Sequence, residues 1–195
     1  MSKLKKYKMF IDGEWVDSES KKTFKTLNPE TNEPWAEVPE ANEKDIDKAV
    51  KAAQKAFEGS WPSLFPRERA SYLRAIANEL RENAELLGKI ETIDTGKLFK
   101  ETKNQANYIA EYYDYYAGLA DKVEGTVLPI DKANMQVITT RVPIGVVAAI
   151  IPWNSQMLLT AVKLAPALAM GNTVVIKSSE LAPATLFEFG KLIEK

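Results

Sequence analysis

The sequence predicts an α/β protein whose C-terminal part opens a doubly wound parallel sheet. Two apolar runs, 145–151 and 173–177, are typical of strands that are covered on both faces. The segment 157–170, which has helical periodicity, separates them, and a second helical segment, 184–195, follows. Strand, helix, strand and helix at this spacing predict a right-handed βαβ unit. Pro166 is expected to kink or interrupt the first of these helices.

A β-hairpin is predicted near the N-terminus. Its strands are 7–11 and 14–16, and Asp12-Gly13 between them supplies the positive φ angles that a two-residue turn needs. The pairs Asn28-Pro29 and Glu33-Pro34 predict a loop after this hairpin.

Two amphipathic helices follow the loop. The first is expected to begin after Asn42, whose side chain can cap free backbone N–H groups, and to end at Gly59. Its apolar face predicts packing against another element and consists of Ile46, Val50, Ala53 and Phe57. Pro66 suits the first turn of the second helix, whose apolar stripe continues to Leu87.

A third helix is predicted over 86–94, ending at Gly96, and a fourth from Phe99 to about Lys122. The fourth helix is rich in tyrosine: Tyr108, Tyr112, Tyr113, Tyr115 and Tyr116. A ligand platform fits this density, but the helical spacing of some of its apolar residues favours packing in a core or between subunits. The residues with this spacing are Ile109, Tyr112, Tyr116 and Leu119.

From Gly125 onward the pattern changes to strands. Residues 126–130 and 135–142 predict a second β-hairpin, and Pro129 argues against a central position in a sheet.

The composition excludes several kinds of site. Lys and Arg total 26 against 27 Asp and Glu, and this balance gives no reason to expect a nucleic-acid partner. The chain has no Cys and no His, so thiolate nucleophiles, imidazole bases and the usual zinc sites are excluded, and no metal is expected. Without an apolar run of about 18 residues or a signal-peptide pattern, we expect a cytoplasmic protein with no membrane partner.

A basic cluster lies at the N-terminus, formed by Lys3, Lys5, Lys6 and Lys8. Such a cluster can bind an anionic surface, but a solvated tail is the more common arrangement. We therefore expect a tail.

Polar side chains follow both buried strands at the edge where ligands of open α/β sheets bind. Asn154 follows the first strand; its amide can donate to a developing oxyanion, although a turn asparagine also fits. Lys177 and Glu180 follow the second and suit the hydroxyls of a ribose. A solvated salt bridge, or a Glu180 that favours the dipole of the last helix, also fits. Trp153 fits a cofactor wall or plain packing, and Lys163 fits an exposed helix face.

Several blocks of the chain resemble the aldehyde dehydrogenase superfamily. The more specific ones are Pro152-Trp153-Asn154 and Gly-Asn-Thr-Val-Val at 171–175. The resemblance covers almost the whole chain, with further similar blocks at 10–15, 47–53, 91–97, 141–147 and 164–168.

The resemblance implies NAD(P)-dependent oxidation of an aldehyde to a carboxylic acid. In this chemistry a cysteine thiolate adds to the aldehyde, hydride passes to the nicotinamide, and a glutamate-activated water hydrolyses the thioester. Asn154 is then the oxyanion donor, and Lys163 takes part in a proton or charge relay. The implied cofactor-binding residues are Ile151, Pro152, Trp153, Lys177, Ser179 and Glu180, of which Lys177 and Glu180 contact the adenosine ribose.

Charge bears on the choice of cofactor. Glu180 would repel the 2′-phosphate of NADP, whereas Lys177 would attract it. The interpretation favours NAD and leaves NADP open.

The resemblance also implies a domain organisation. Residues 1–123 form the N-terminal hairpin and helical part of the cofactor-binding domain, and 124–142 form a hairpin of the oligomerisation region. Residues 143–195 form the first βαβα of the Rossmann-like dinucleotide-binding sheet, and the catalytic domain is absent.

This chain departs from the family pattern in two respects. After the asparagine many members have an aromatic residue and then a proline, near the substrate tunnel, where this chain has Ser155-Gln156-Met157. The aldehyde is therefore not identified. Family members are also more than twice as long, and the remainder carries the cysteine, the glutamate base and a strand that completes the oligomerisation sheet. The complete enzyme is implied to be a homo-oligomer, a dimer or a tetramer.

Two hypotheses of function follow. In the first, the chain is the N-terminal part of an aldehyde dehydrogenase and is inactive alone, because it lacks the catalytic cysteine and glutamate. In the second, it is a non-catalytic, truncated paralogue that binds nucleotide weakly or docks onto full-length subunits through the unpaired edges of the 126–142 hairpin.

Overall fold

Residues 4–194 are described by a computed structural model and contain nine strands and six α-helices. The strands are β1 (Lys5–Lys6), β2 (Met9–Ile11), β3 (Glu14–Val16), β4 (Thr23–Asn28), β5 (Glu33–Pro39), β6 (Val127–Leu128), β7 (Val137–Ile138), β8 (Val146–Ile150) and β9 (Thr173–Lys177). The helices are α1 (Glu43–Glu58), α2 (Pro66–Glu82), α3 (Ala84–Thr95), α4 (Phe99–Leu119), α5 (Gln156–Ala169) and α6 (Ala184–Ile193).

The predicted βαβ unit is confirmed. Strands β8 and β9 pair in parallel, with Val146 opposite Thr173 and Ile150 opposite Lys177, and α5 connects them. Helix α5 continues through Pro166, so the helix is not interrupted there. The fully buried neighbour Ala165 holds this part of the helix in the core, which offsets the backbone hydrogen bond that proline cannot make.

The main core lies where α2, α3 and α4 pack against α5 and α6. Its large buried side chains include Leu73, Leu80, Leu87, Ile109, Tyr113, Leu164 and Phe189. Packing in a core or between subunits was predicted for the tyrosine-rich helix through Tyr112 and Tyr116, but Tyr113 is the most deeply buried of its tyrosines, while Tyr112 and Tyr116 are only partly buried. The buried face of α4 is therefore rotated by about one residue from the predicted stripe.

Helix α1 begins as predicted. The Asn42 side chain accepts hydrogen bonds from the N–H groups of Lys44 (2.9 Å) and Asp45 (3.3 Å), and the Asp45 carboxylate accepts from the Asn42 N–H (2.9 Å). The predicted apolar face is wrong in its first half, since Ile46 and Val50 are 44% and 41% exposed. Helix α1 contacts the β8–β9 sheet through its second half.

The N-terminal hairpin is confirmed, whereas the loop expected after it is wrong. Strands β2 and β3 pair around Asp12 and Gly13, which have φ angles of 52° and 80°. Only residues 29–32 form a turn, since Asn28 ends β4 and Glu33 and Pro34 begin β5, and these two strands pair antiparallel as a second hairpin. Pro34 is the second residue of β5. At the end of a strand, the backbone N–H that proline lacks does not leave a gap in the middle of the hydrogen-bonded ladder.

The predicted N-terminal tail is also wrong. Lys5 and Lys6 form β1, which pairs in parallel with β5, and the Lys5 ammonium lies 2.6 Å from the carboxylate of Glu188 in α6. Lys8 lies 3.9 Å from Asp17, and Lys3 lies outside the described residues.

Two predicted boundaries differ from the structure. The second helix ends at Glu82, so Ala84 and Leu87, placed in its stripe, belong to α3. The predicted 126–142 hairpin forms only the short ladder of β6 and β7.

Within residues 4–194 no helix has both the length and the apolar character that crossing a membrane requires. The cytoplasmic location and the three-part domain division stay predictions.

Candidate active site

The parallel pair of strands brings two loops to one edge of the sheet. The backbone N–H of Ile151 donates to the carbonyl of Lys177 at 2.9 Å, so β8 and β9 end side by side. The 152–155 loop leaves β8, and the 178–183 loop leaves β9. All of the sequence-predicted site residues except Lys163 lie in these two loops or at the strand ends beside them.

The 152–155 loop presents its polar and aromatic groups to the outside. Ile151 is buried at the base of the loop, whereas Pro152 and Asn154 are exposed and Trp153 is 52% exposed. The Asn154 amide is therefore accessible to a ligand, as an oxyanion donor has to be. Ile151 can contribute to a binding surface only from behind the loop.

Lys177 and Glu180 form an ion pair. Their charged atoms lie 3.2 Å apart, and both side chains are exposed. The backbone N–H of Glu180 and the Lys177 ammonium lower the pKa of the Glu180 carboxyl, which keeps it ionised as a hydrogen-bond acceptor. Because α6 begins only at Ala184, Glu180 is not in the first turn of that helix.

Ser179 lies between these two residues and is buried. Its hydroxyl oxygen accepts a hydrogen bond from the N–H of Leu181 at 3.2 Å, which gives the loop a tight local turn. The hydroxyl keeps its own proton for donation to another group.

Lys163 lies apart from the loops. It is half-buried on α5, about 10 Å along the helix axis from Gln156. Its ammonium lies 3.4 Å from the carbonyl of Leu159, one turn earlier in the same helix. In this structure the Lys163 ammonium therefore does not contact Asn154.

Lys97 is a site residue that the sequence interpretation missed. Its ammonium donates to the hydroxyl of Ser155 at 2.7 Å and lies 3.4 Å from the carboxylate of Glu91. Burial raises the pKa of Glu91, while the Lys97 charge opposes that shift. Both residues belong to the 91–97 block, one of the segments that resemble the family. The resemblance therefore marked this segment, but no role was assigned to Lys97 or Glu91.

Asp94 in the same block supports the other loop. Its carboxylate accepts hydrogen bonds from the N–H of Ala184 at 2.7 Å and from the hydroxyl of Thr26 at 2.8 Å. Burial raises the pKa of Asp94 to about 6, against the lowering effect of these hydrogen bonds. Lys97, just after α3, therefore holds the 152–155 loop, and Asp94, in the last turn of α3, holds the start of α6 directly after the 178–183 loop.

A groove of about 670 Å³ lies elsewhere, between the β2–β3 hairpin and α1. Acidic and basic side chains in its walls pair with each other, as in the ion pairs of Lys55 with Asp12 and Lys48 with Glu19. The groove shares no residue with the two loops.

Comparison with known proteins identifies the family. The model of the aldehyde dehydrogenase family matches residues 15–195. The chain belongs to this family.

Related aldehyde dehydrogenases support the assignment. A (Z)-2-((N-methylformamido)methylene)-5-hydroxybutyrolactone dehydrogenase from Acinetobacter baylyi is 48% identical over 98% of this chain and 39% of its own length. Betaine aldehyde dehydrogenase from Bacillus subtilis is 42% identical over 96% of this chain and 38% of its own length. The crystal structure of Staphylococcus aureus betaine aldehyde dehydrogenase in complex with NAD+ matches with a TM-score of 0.92, at 38% identity, over 96% of this chain and 37% of the other.

This aldehyde dehydrogenase chain thus spans less than two fifths of the length of these relatives. Its sequence supplies amide, ammonium and carboxylate groups at the two loops, but it contains no Cys and no His. The groups present can bind and polarise a ligand, and they include no thiolate.

Proposed function

We propose that this chain is the cofactor side of an aldehyde dehydrogenase that uses NAD to oxidise an aldehyde to a carboxylic acid. The observation that carries the proposal is the placement of Asn154 and of the Lys177–Glu180 pair on neighbouring loops at the ends of parallel strands. The solved Staphylococcus aureus relative is a complex with NAD+, which supports NAD as the cofactor.

The donor set fits a dinucleotide. An ionised Glu180 accepts from the two hydroxyls of a ribose, and Lys177 donates to them. Ser179 has a hydroxyl proton free for a further contact, and the exposed Pro152 and Trp153, with Ile151 behind them, form an apolar side to the same edge. Glu180 disfavours a 2′-phosphate by like charge, so NAD fits better than NADP.

The chain's own part in catalysis is the stabilisation of charge. Bound NAD supplies a hydride acceptor. The Asn154 amide donates to the aldehyde oxygen as negative charge develops there, which is worth about 3 kcal/mol of transition-state stabilisation. We assign Lys163 to a proton or charge relay; its ammonium has to leave the Leu159 carbonyl to take part.

Further properties of the complete enzyme are part of the same proposal. We assign it an aldehyde substrate, a homo-oligomeric state (dimer or tetramer) and a cytoplasmic location. One of the two curated relatives is named for a hydroxybutyrolactone and the other for betaine aldehyde. Because these names differ, no single aldehyde is assigned.

The experiment is a comparison of two variants in the complete protein. Asn154→Ala should lower kcat about 100- to 1,000-fold and leave NADH binding unchanged, since its amide acts on the substrate oxygen. Glu180→Gln should raise the Kd for NADH about tenfold, measured by fluorescence titration, because a carboxylate acceptor is lost. Glu82→Gln, which changes an exposed carboxylate at the end of α2, is the matched control. Equal NADH affinity in Glu180→Gln and the control would refute the assignment.

The 195 residues alone should have no dehydrogenase activity, because no side chain among them can supply a thiolate. The measurement is NADH production from a panel of aldehydes by the purified chain. Activity that depends on added aldehyde and survives repurification would contradict this prediction.

One observation favours the second candidate, a non-catalytic chain that docks onto full-length subunits. The β6–β7 ladder leaves Val127 and Ile138 63% and 60% exposed, and both strands have a free edge. Co-purification of the tagged chain with a full-length aldehyde dehydrogenase would support it, and recovery of the chain alone would count against it.

A further inference from the structure

One buried side chain joins the two loops of the candidate active site. Gln156 is the first residue of α5, directly after the 152–155 loop, and is 0% exposed. Its side-chain amide nitrogen donates a hydrogen bond to the backbone carbonyl of Ala182, in the 178–183 loop. The link therefore runs from the end of one loop to the end of the other.

The hydrogen bond to Ala182 is what orients this amide. Ala182 is itself only 1% exposed, so water cannot replace Gln156 at its carbonyl without opening the structure. Within the described residues, the side-chain amide oxygen of Gln156 has no hydrogen-bond partner, and neither do the buried hydroxyls of Thr160 and Thr185. The single bond therefore fixes the side chain.

The Gln156–Ala182 hydrogen bond lies close in sequence to the residues proposed to contact both ends of a bound dinucleotide. Asn154 lies two residues before Gln156, and Ser179 and Glu180 lie three and two residues before Ala182. The region at the end of α3 also holds Ser155 through Lys97 and Ala184, the residue after the 178–183 loop, through Asp94. Gln156 supplies a direct connection between the loops in addition to these ties.

A proline at this position could not make the link. Proline suits the first turn of a helix because the N–H that it lacks has no partner there, but it has no side-chain donor. The Gln156 connection is thus a property of this chain's Ser155-Gln156-Met157 sequence.

We propose that Gln156 is a positioning residue that couples the loop carrying Asn154 to the loop carrying Ser179 and Glu180. The proposal rests on the proposed function, because it assigns the two loops to the reacting oxygen and to the ribose. Loss of the link should then weaken dinucleotide binding and lower kcat together.

The test is Gln156→Met in the complete protein, a change of similar length that removes the donor. We expect the Kd for NADH to rise about three- to tenfold and kcat to fall by a similar factor, as for the loss of one buried hydrogen bond. A purely structural defect would lower the fraction of folded enzyme, and hence kcat, without changing the Kd of the molecules that remain folded.

Thr160→Val is the matched control, since it changes a buried polar residue one turn further along α5 whose hydroxyl has no partner within the described residues. It should keep the wild-type Kd and kcat. Gln156→Pro is a second variant without the donor, in a form that the first turn of a helix accepts, and should match Gln156→Met.

The outcomes separate this proposal from the function on which it rests. Wild-type Kd and kcat in both Gln156 variants, with NADH binding intact in the wild type, would overturn the coupling and leave the proposed function standing. A wild-type protein that binds no NADH would overturn both. A raised Kd in both Gln156 variants, and not in Thr160→Val, is the result expected.

Discussion

At the scale of single residues, the buried carboxylate of Glu91 depends on one neighbour. It is nearly inaccessible, and the Lys97 ammonium at 3.4 Å is the group that opposes the rise in its pKa caused by burial. The same ammonium holds Ser155, so one charge serves both the stability of α3 and the position of the 152–155 loop. Removing Lys97 should therefore be visible in stability as well as in activity.

We predict that Lys97→Met is destabilising mainly at neutral pH. Burial already raises the pKa of Glu91 above 4.5, and loss of Lys97 raises it further. A carboxyl with a folded pKa above its unfolded value binds more protons when folded, so the free energy of unfolding falls as pH rises from 4.5 through the folded pKa. Urea titration should show a deficit relative to wild type that grows by about 2 kcal/mol over this interval.

Glu91→Gln provides the control for this effect. In that background position 91 has no carboxyl to titrate. Lys97→Met should then lower the free energy of unfolding by the same amount at every pH. A deficit in the single variant that does not change between acid and neutral pH would contradict the role given to Glu91.

The positions of the candidate site residues were predictable from the sequence where a strand pattern places them, while their roles stay predictions. Asn154, Lys177 and Glu180 follow strands that the apolar pattern identifies, and the structure brings them to one edge. Lys97 and Gln156 could not be predicted, because their partners are 58 and 26 residues away and no local pattern marks such pairs.

At the scale of elements, two helix ends, the start of α1 and the end of α3, were predictable from local chemistry. Asn42 caps α1 with the reciprocal Asp45 contact, and Gly96 ends α3 with a φ of 76°. The β4–β5 hairpin and β1 were not predicted. Two prolines obscure the strand pattern of β5, and β1 is a strand only because β5 lies beside it.

We predict that Asn42→Ala lowers the free energy of unfolding by about 1 kcal/mol, because α1 loses the acceptor for two backbone N–H groups. Asn42→Asp keeps an acceptor at the cap and should stay close to wild type. Thermal or chemical unfolding of both variants measures the difference, and equal losses in the two would show that the cap is not responsible.

At the scale of the whole molecule, much apolar surface faces outward around the β6–β7 ladder and the β8 edge. Val142, Ile144 and Ile150 are between 70% and 86% exposed. Large exposed apolar side chains of this kind can be covered by association with another protein surface. The parallel sheet of the described residues has two strands, and Ile150 lies at the end of one of them.

We therefore predict that the purified 195-residue chain associates with itself or with other chains. Sedimentation at rising concentration should show a weight-average mass above 21.8 kDa. Ile144→Lys, which places a charge in the exposed region, should reduce the association, whereas Glu82→Lys on α2 should not. A chain that stays monomeric over the whole range would contradict the prediction.

The contact of β1 with α6 has a consequence for synthesis on the ribosome. Lys5 is translated 183 residues before its partner Glu188. At about 5 to 20 residues per second, the N-terminal strand waits roughly 9 to 37 s until Glu188 exists. Helices α2 to α4, whose contacts are closer in sequence, are complete well before that time. Strand β1 is thus made before all six helices but reaches its native position only after α6 exists, and until then the ring of Tyr7, which stacks on Phe187 of α6 in the folded chain, is available to a chaperone.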